Sequence, residues 1–198
     1  KPKVGKSWLM LHVAIAVALG AFTLGDVYCA KGDVLYCALE DNKRRLKSRQ
    51  HKLLAGQPAP KFTLPSQDGS PVSLKDFHGK WVVLYFYPKD MTTGCTIEAH
   101  KFQDSLPQFE AKHAVVLGVS VDSKESHQQF CAKDSLTFRL LSDTDHKVVS
   151  EYGSLSEFRG NAMAARNTFL IDPKGKIVKV WTKVNPSSAA SDVLAALP

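Results

Sequence analysis

Trp81-Val82-Val83-Leu84-Tyr85-Phe86-Tyr87-Pro88-Lys89-Asp90-Met91-Thr92-Thr93-Gly94-Cys95-Thr96-Ile97-Glu98 is one continuous passage from strand to loop to helix. Trp81–Tyr87 is an apolar run rich in β-branched and aromatic residues, short enough for a buried strand. Pro88 and Gly94 bracket a loop. A helical pattern starts near Cys95. A buried strand that runs through a short loop into a helix is the repeating unit of an α/β fold.

The same alternation continues on both sides. Phe62–Leu64 and Val72–Leu74 flank Gln67-Asp68-Gly69-Ser70, which predicts a small hairpin. Ala114–Val121 reads as a second buried strand. Asp122 or Ser123 can cap a helix running to about Lys133. Phe138–Leu141 is a short strand, and Asp143–Tyr152 a short helix ended by Gly153. Thr168–Asp172 and Lys176–Thr182 flank Pro173-Lys174-Gly175, a second hairpin. Ser187–Leu197 closes with a helix. The expectation is an α/β sandwich with a mostly parallel central sheet and an antiparallel edge from the last hairpin.

Residues 1–54 have another texture. Lys1–Ser7 is basic, Trp8–Leu24 nearly continuously apolar, Gly32–Leu39 strand-like, and Glu40–Leu54 a basic helix. The net charge of +7 is concentrated here. Residues 1–55 hold 10 of the 26 Lys/Arg and 4 of the 19 Asp/Glu, leaving 16 and 15 for the rest. The larger part is near neutral, so the basic total is no argument that it binds nucleic acid. With 44% hydrophobic and 23% charged residues, wholesale disorder is excluded. Pro58 and Pro60 mark an abrupt junction, giving expected domains 1–54 and 55–198.

The cysteines at 29, 37, 95 and 131 form no Cys-x-x-Cys pair. A zinc ribbon and a thioredoxin-type dithiol are therefore not indicated, which leaves structural thiols or a reactive one. No histidine spacing suggests a metal, and neither a metal nor a cofactor is expected. Cys95 is the candidate. A thiol in the first turn of a helix meets unpaired backbone N–H groups and the positive end of the dipole, which favour a thiolate. The Thr92 hydroxyl, three residues earlier, can hydrogen-bond the sulfur or a ligand oxygen beside it. Pro88 offers no N–H and can shield the site from water. Taken alone, a cysteine at a helix start is more often a small buried hydrophobe. Arg166 alone could be a strand-edge ion-pair former, and Cys131 a buried helix residue. His100, His113, His127 and His146 read as surface residues, and Asp143 and Asp145 as helix caps.

Pro88-x-x-x-Thr92-x-x-Cys95 resembles the peroxiredoxin active-site motif. Phe86-Tyr87-Pro88-Lys89-Asp90 and Cys95-Thr96-Ile97-Glu98-Ala99 resemble the peroxiredoxin Q (bacterioferritin-comigratory) subfamily. The likeness continues through Ala59-Pro60-x-Phe62-Thr63-Leu64-Pro65, Val116–Ser120, Leu140–Asp143 and Arg166-x-Thr168–Asp172. It covers roughly residues 55–197 in order. It implies a thioredoxin-like fold, with a central mixed sheet flanked by helices, and a thiol peroxidase acting on hydrogen peroxide and organic hydroperoxides. Cys95 would be the peroxidatic cysteine, Thr92 would orient the peroxide, Arg166 would stabilise the reacting charge, Pro88 would shield, and Glu98 would support. A sulfenic acid on Cys95 must be resolved by a thiol. Many members place that thiol five residues after the peroxidatic one, where this chain has His100. Another subgroup places it on the next helix, where Cys131 stands. The implied cycle is an intramolecular Cys95–Cys131 disulfide reduced by thioredoxin, in a monomer or weak dimer. A one-cysteine cycle with an external thiol is the alternative.

Lys1-Pro2-Lys3-Val4-Gly5-Lys6-Ser7 resembles the end of a Walker A loop. Gly32–Asn42 with Arg44-Arg45-Leu46 resembles the second strand of RecA-like ATPases of the RepA helicase type. That resemblance implies phosphate contacts from Gly5 and Lys6, a magnesium contact from Ser7 and a catalytic Glu40. The loop's first glycine would precede Lys1 and no later Walker B strand follows, so the expectation is a truncated, P-loop ATPase-like extension. The competing reading is an export signal, from the basic start and the apolar core Leu9–Leu19. Trp8–Leu24 is marginal for a membrane span. The expectations are a cytoplasmic protein, exported if residues 1–30 act as a signal, with no membrane or nucleic-acid partner. A non-catalytic thioredoxin-fold interaction module is the third functional class.

Overall fold

The computed structural model describes residues 55–158 and 160–198. Strands β1 (Thr63–Pro65) and β2 (Pro71–Ser73) form an antiparallel hairpin, and a 3-10 turn over Leu74–Phe77 leads into β3 (Trp81–Phe86). Helix α1 spans Thr93–Asp104 and α2 Leu106–Ala111; Pro107, which cannot donate a backbone N–H, sits in the first turn of α2. Next come β4 (Ala114–Ser120), α3 (Lys124–Asp134), β5 (Arg139–Ser142) and α4 (Lys147–Glu151). The chain then forms β6 (Leu155–Phe158), β7 (Asn161–Ala164), β8 (Asn167–Ile171), β9 (Ile177–Thr182) and α5 (Ala189–Leu194).

The central sheet has strand order β5-β4-β3-β8-β9. The pairs β3–β4 and β4–β5 are parallel, whereas β3–β8 and β8–β9 are antiparallel. The sheet is mixed, as the family resemblance implies, which corrects the mostly parallel sheet expected from the alternation of elements alone. The last hairpin does not merely add an edge; its first strand pairs with the central strand β3, so the sheet is evenly mixed. The β6–β7 hairpin was not anticipated, because its residues are largely exposed and show no clean alternation. The helix expected over Asp143–Tyr152 is confined to Lys147–Glu151. Asp143 stands ahead of it and accepts hydrogen bonds from the Val148 and Val149 amides, at 3.2 and 2.7 Å.

Alternation along β3 divides the core in two. Val83, Tyr85 and Tyr87 face α1, α2, α3 and α5, packing on Cys95, Phe102, Phe109 and Phe130. Val82, Leu84 and Phe86 face the β1–β2 hairpin, α4, Tyr152 and Phe169. The Tyr85 ring lies across Gly118 of β4. A Cβ there would stand 2.8 Å from the phenol and 2.6 Å from Leu140 Cδ2, so only glycine fits without displacing a core side chain.

Candidate active site

Strand register gathers the site. Phe86 at the end of β3 pairs with Asn167 at the start of β8 and with Val119 near the end of β4. The loop leaving β3, the residue entering β8 and the turn after β4 therefore emerge at one edge of the sheet. Ligand sites of open α/β sheets lie at such an edge.

The loop is pinned before it becomes helix. The Tyr87 amide donates to Val119 O at 3.1 Å, and the Asp90 amide to Asp122 Oδ2 at 2.9 Å. Met91 follows with φ of 55°, turning the chain into Thr92, the N-cap of α1. Thr92 O accepts the first helical bond from the Thr96 amide at 2.8 Å. Cys95 thus lies in the first turn of α1, where backbone N–H groups lack helical acceptors. It is 1% exposed and a free thiol.

Arg166, immediately before β8, reaches this thiol. Its Nη2 donates to Cys95 Sγ at 3.3 Å, while Nη1 donates to Glu98 Oε2. Glu98 is one helical turn after Cys95, on the same face of α1. The guanidinium crosses Gly94, where a Cβ would stand 3.3 Å from Nη2. Glu98 is fully buried, and burial pushes its carboxyl up to about 7 against the opposing pull of Arg166. Burial works against the Arg166 charge, but Glu98 and Cys95 outweigh it and raise the guanidinium's pKa. A cation held between a sulfur and a buried carboxyl is placed for charge that develops on the sulfur or on an oxygen beside it.

The other expected residues are placed as follows. Pro88 is half-buried in the loop after β3. Thr92 is exposed, and its Oγ1 donates to Lys89 O at 3.0 Å rather than to the sulfur. Cys131 lies on α3, buried and free, with its thiol pushed up to about 11 by burial and then by the Asp90 charge. His100 is exposed on α1, and its Nε2 is 3.0 Å from Asp134 Oδ1 at the end of α3. Gly5, Lys6, Ser7 and Glu40, together with Cys29 and Cys37, lie outside the described residues. Among those described, no three His, Cys, Asp or Glu converge as a metal-holding group, and no helix is long and apolar enough to cross a membrane.

One expectation is overturned. His127, read as a surface residue, is fully buried. Its Nδ1 donates to Asp90 Oδ2 at 2.8 Å, and Asp90 also accepts from Tyr87 Oη at 2.7 Å and Ser126 Oγ at 2.7 Å. Burial alone would raise the Asp90 carboxyl, but its hydrogen bonds to His127, Tyr87 and Ser126 hold it below its usual value. The signal for a buried His127 was present in the sequence. His127, Phe130 and Cys131 follow the i, i+3, i+4 spacing of a core-facing helix stripe.

The chain resembles known proteins. The AhpC/TSA family profile matches residues 55–180, and an AAA domain profile matches residues 1–82. Residues 63–82 of the second match form β1, β2, the 3-10 turn and the start of β3 in the structure. The chain is 43% identical over 146 residues to peroxiredoxin Bcp of Bacillus subtilis, covering 72% of this chain and 93% of that protein. The crystal structure of peroxidoxin BcpB from Mycobacterium tuberculosis superposes with a TM-score of 0.68 at 33% identity, over 72% of this chain and 95% of that one. A Xanthomonas campestris bacterioferritin comigratory protein, described for its alkyl peroxide reduction activity, gives a TM-score of 0.65 at 39% identity, over 69% of this chain and 89% of that one.

Proposed function

The chain belongs to the AhpC/TSA family, as a thiol-dependent peroxidase of the Bcp/peroxiredoxin Q group, and on that premise we propose that Cys95 is its peroxidatic sulfur and Cys131 its resolving thiol. The observation that carries the assignment is the Arg166 guanidinium held between Cys95 Sγ and Glu98.

The Cys95 thiolate attacks the terminal oxygen of a hydroperoxide. An S–O bond forms, the O–O bond breaks, and the sulfur is oxidised by two electrons to a sulfenic acid. The departing alkoxide or hydroxide takes a proton from solvent and leaves as alcohol or water. Arg166 faces the negative charge as it passes from sulfur to oxygen, and Glu98 keeps the guanidinium in place. Thr92 exchanges its bond to Lys89 O for one to the peroxide. Pro88 limits water at the loop. The Cys131 thiol then condenses with the sulfenic acid, forming the disulfide and releasing water. Cys131 is buried on α3, and on this reading its helix opens for the step. Thioredoxin returns the disulfide to two thiols by exchange. Hydrogen peroxide and organic hydroperoxides are the substrates, in keeping with the likeness to the Xanthomonas protein. The peroxidase domain is residues 55–198, working in the cytoplasm as a monomer or weak dimer.

The buried, protonated state of Cys131 favours a second reading, a one-cysteine cycle in which an external thiol reduces Cys95. A separate reading concerns residues 1–54. The AAA profile match supports a nucleotide-binding segment using Gly5, Lys6, Ser7 and Glu40, and nucleotide binding lost on Lys6→Ala is its test.

Peroxide turnover with thioredoxin, thioredoxin reductase and NADPH tests the main reading. Wild type is expected to turn over, Cys95→Ser to be inactive, and Cys131→Ser to stall after one oxidation. Full turnover by Cys131→Ser would make the enzyme one-cysteine.

A further inference from the structure

The disulfide step joins two segments. One is the loop and first turn that carry Cys95; the other is the helix α3 that carries Cys131. A disulfide demands Cα atoms within about 7 Å and properly aimed Cβ bonds, and both thiols are free and buried in separate helices. A buried contact joins the same two segments. Asp90 lies five residues before Cys95, and His127 one helical turn before Cys131. Their side chains meet at 2.8 Å with both almost wholly removed from solvent. Ser126 of α3 adds a second donor to Asp90 Oδ2, and Tyr87 of the loop occupies Oδ1. The Asp90 amide is tied in turn to Asp122, which also accepts from Ser120 Oγ at 2.7 Å. Neither His127 nor Asp90 bonds to Cys95, Glu98 or Arg166, so the peroxide step leaves the pair without a task. His127 Nε2 has no partner among the described residues. A buried polar atom in that condition is costly, and a local arrangement that retains it is a candidate for function.

Resting on the reading of Cys131 as resolving thiol, we propose that His127 and Asp90 are positioning residues, a brace that holds α3 folded against the active-site loop and sets the rate at which the Cys95–Cys131 disulfide forms. While the brace is closed, the Cys95 sulfenic acid persists. It has two fates. Cys131 S–H and Cys95 S–OH condense to S–S and water when α3 opens. Alternatively, a second hydroperoxide transfers an oxygen to the sulfenate, giving sulfinate and the alcohol. Opening the brace favours the first fate, so the brace governs how much peroxide the enzyme survives. The exposed contacts His100–Asp134 and Gln103–Thr137 link α1 to the far end of α3 and the turn after it, so α3 is held near both ends. The buried contact is the stronger, because water does not compete for it.

The test is rapid quench with thiol alkylation and mass spectrometry, following sulfenic acid, disulfide and sulfinic acid at Cys95 in the full chain. His127→Leu fills the space without a donor. His127→Asn keeps a donor near the place of Nδ1. Tyr152→Phe removes a buried hydrogen bond, Tyr152 Oη to Pro60 O at 2.8 Å, from the other face of the sheet. The brace predicts an unchanged rate of first oxidation in all three. Disulfide formation should be about tenfold faster in His127→Leu, as for loss of one charge-assisted hydrogen bond, and near wild type in His127→Asn. The peroxide concentration that half-converts Cys95 to sulfinic acid should rise by the same factor in His127→Leu. If His127→Leu does not fold, Ser126→Ala is read the same way, with an expected increase of about threefold. An unchanged or slower disulfide step in the brace variant, or equal acceleration in Tyr152→Phe, overturns the brace alone. Wild type that never forms a Cys95–Cys131 disulfide overturns the resolving reading and the brace with it.

Discussion

The two faces of the central sheet are built to different standards. Tyr152, on the face with the β1–β2 hairpin and α4, is fully buried and its hydroxyl donates to Pro60 O. Tyr85, on the face with α1 and α3, is equally buried, and its hydroxyl has no partner among the described residues. The same holds for Thr168 Oγ1, Glu98 Oε1, His127 Nε2 and Asp134 Oδ2, all on strands or helices of that second face. A buried polar atom without a partner costs roughly 1–3 kcal/mol. Packing on the hairpin face stabilises the fold, whereas the helical face, which carries the proposed site, holds these five buried polar atoms without a partner among the described residues.

Three variants probe that division. The largest expected effect is on the hairpin face. Phe169→Ala empties a site ringed by Phe86 and Tyr152, at centroid distances of 5.6 and 5.1 Å. It should lower the unfolding free energy in urea by about 3–5 kcal/mol, with Cys95 oxidation in the folded fraction held within ~twofold. A large loss of rate in the folded protein would mean that the two faces are coupled. Next is Arg166→Gln, expected to slow Cys95 oxidation by about 10²–10³-fold, measured by stopped flow under single-turnover conditions. A loss smaller than about tenfold would make Arg166 a packing residue.

The smallest effect is a pH slope. The folded protein holds a proton on Glu98 up to about 7, against a usual value of 4.5. Between those limits the folded state binds more protons than the unfolded. The group's contribution to stability is therefore complete below 4.5 and lost as pH rises through 7, at about 1.4 kcal/mol per pH unit. Glu98→Gln should flatten this slope in urea titrations at pH 5, 6 and 7. A slope identical to wild type would show that burial does not govern Glu98.

Much of this was legible from local patterns. Strand β3, the loop and the start of α1 follow from apolar run length and breakers, and the α3 cap narrows to Asp122 or Ser123, of which Ser123 takes the position. Thr92, Cys95 and Pro88 are near neighbours in sequence, so a motif captures them. The partnership of Arg166 with Cys95 spans 71 residues and came only through family resemblance, since nothing local links them. Pairing of β8 with β3 was missed for the same reason: a hairpin's sequence shows its own turn, not its outer neighbour. By residue type His127 reads as a surface group; its spacing to Phe130 and Cys131 is what puts it in the core.

The antiparallel pairing of β3 with β8 also orders events in time. Arg166 is near Cys95 only once β8 has docked beside β3, a contact of long sequence separation that local folding cannot deliver early. A chain folded only as far as β5 has the cysteine, its loop and its helix, but no guanidinium. On the proposed reading of Cys95 and Arg166, the fast reaction with peroxide therefore waits for the sheet to be completed, and an unfinished chain keeps only the slower reactivity of the helix-terminal thiol.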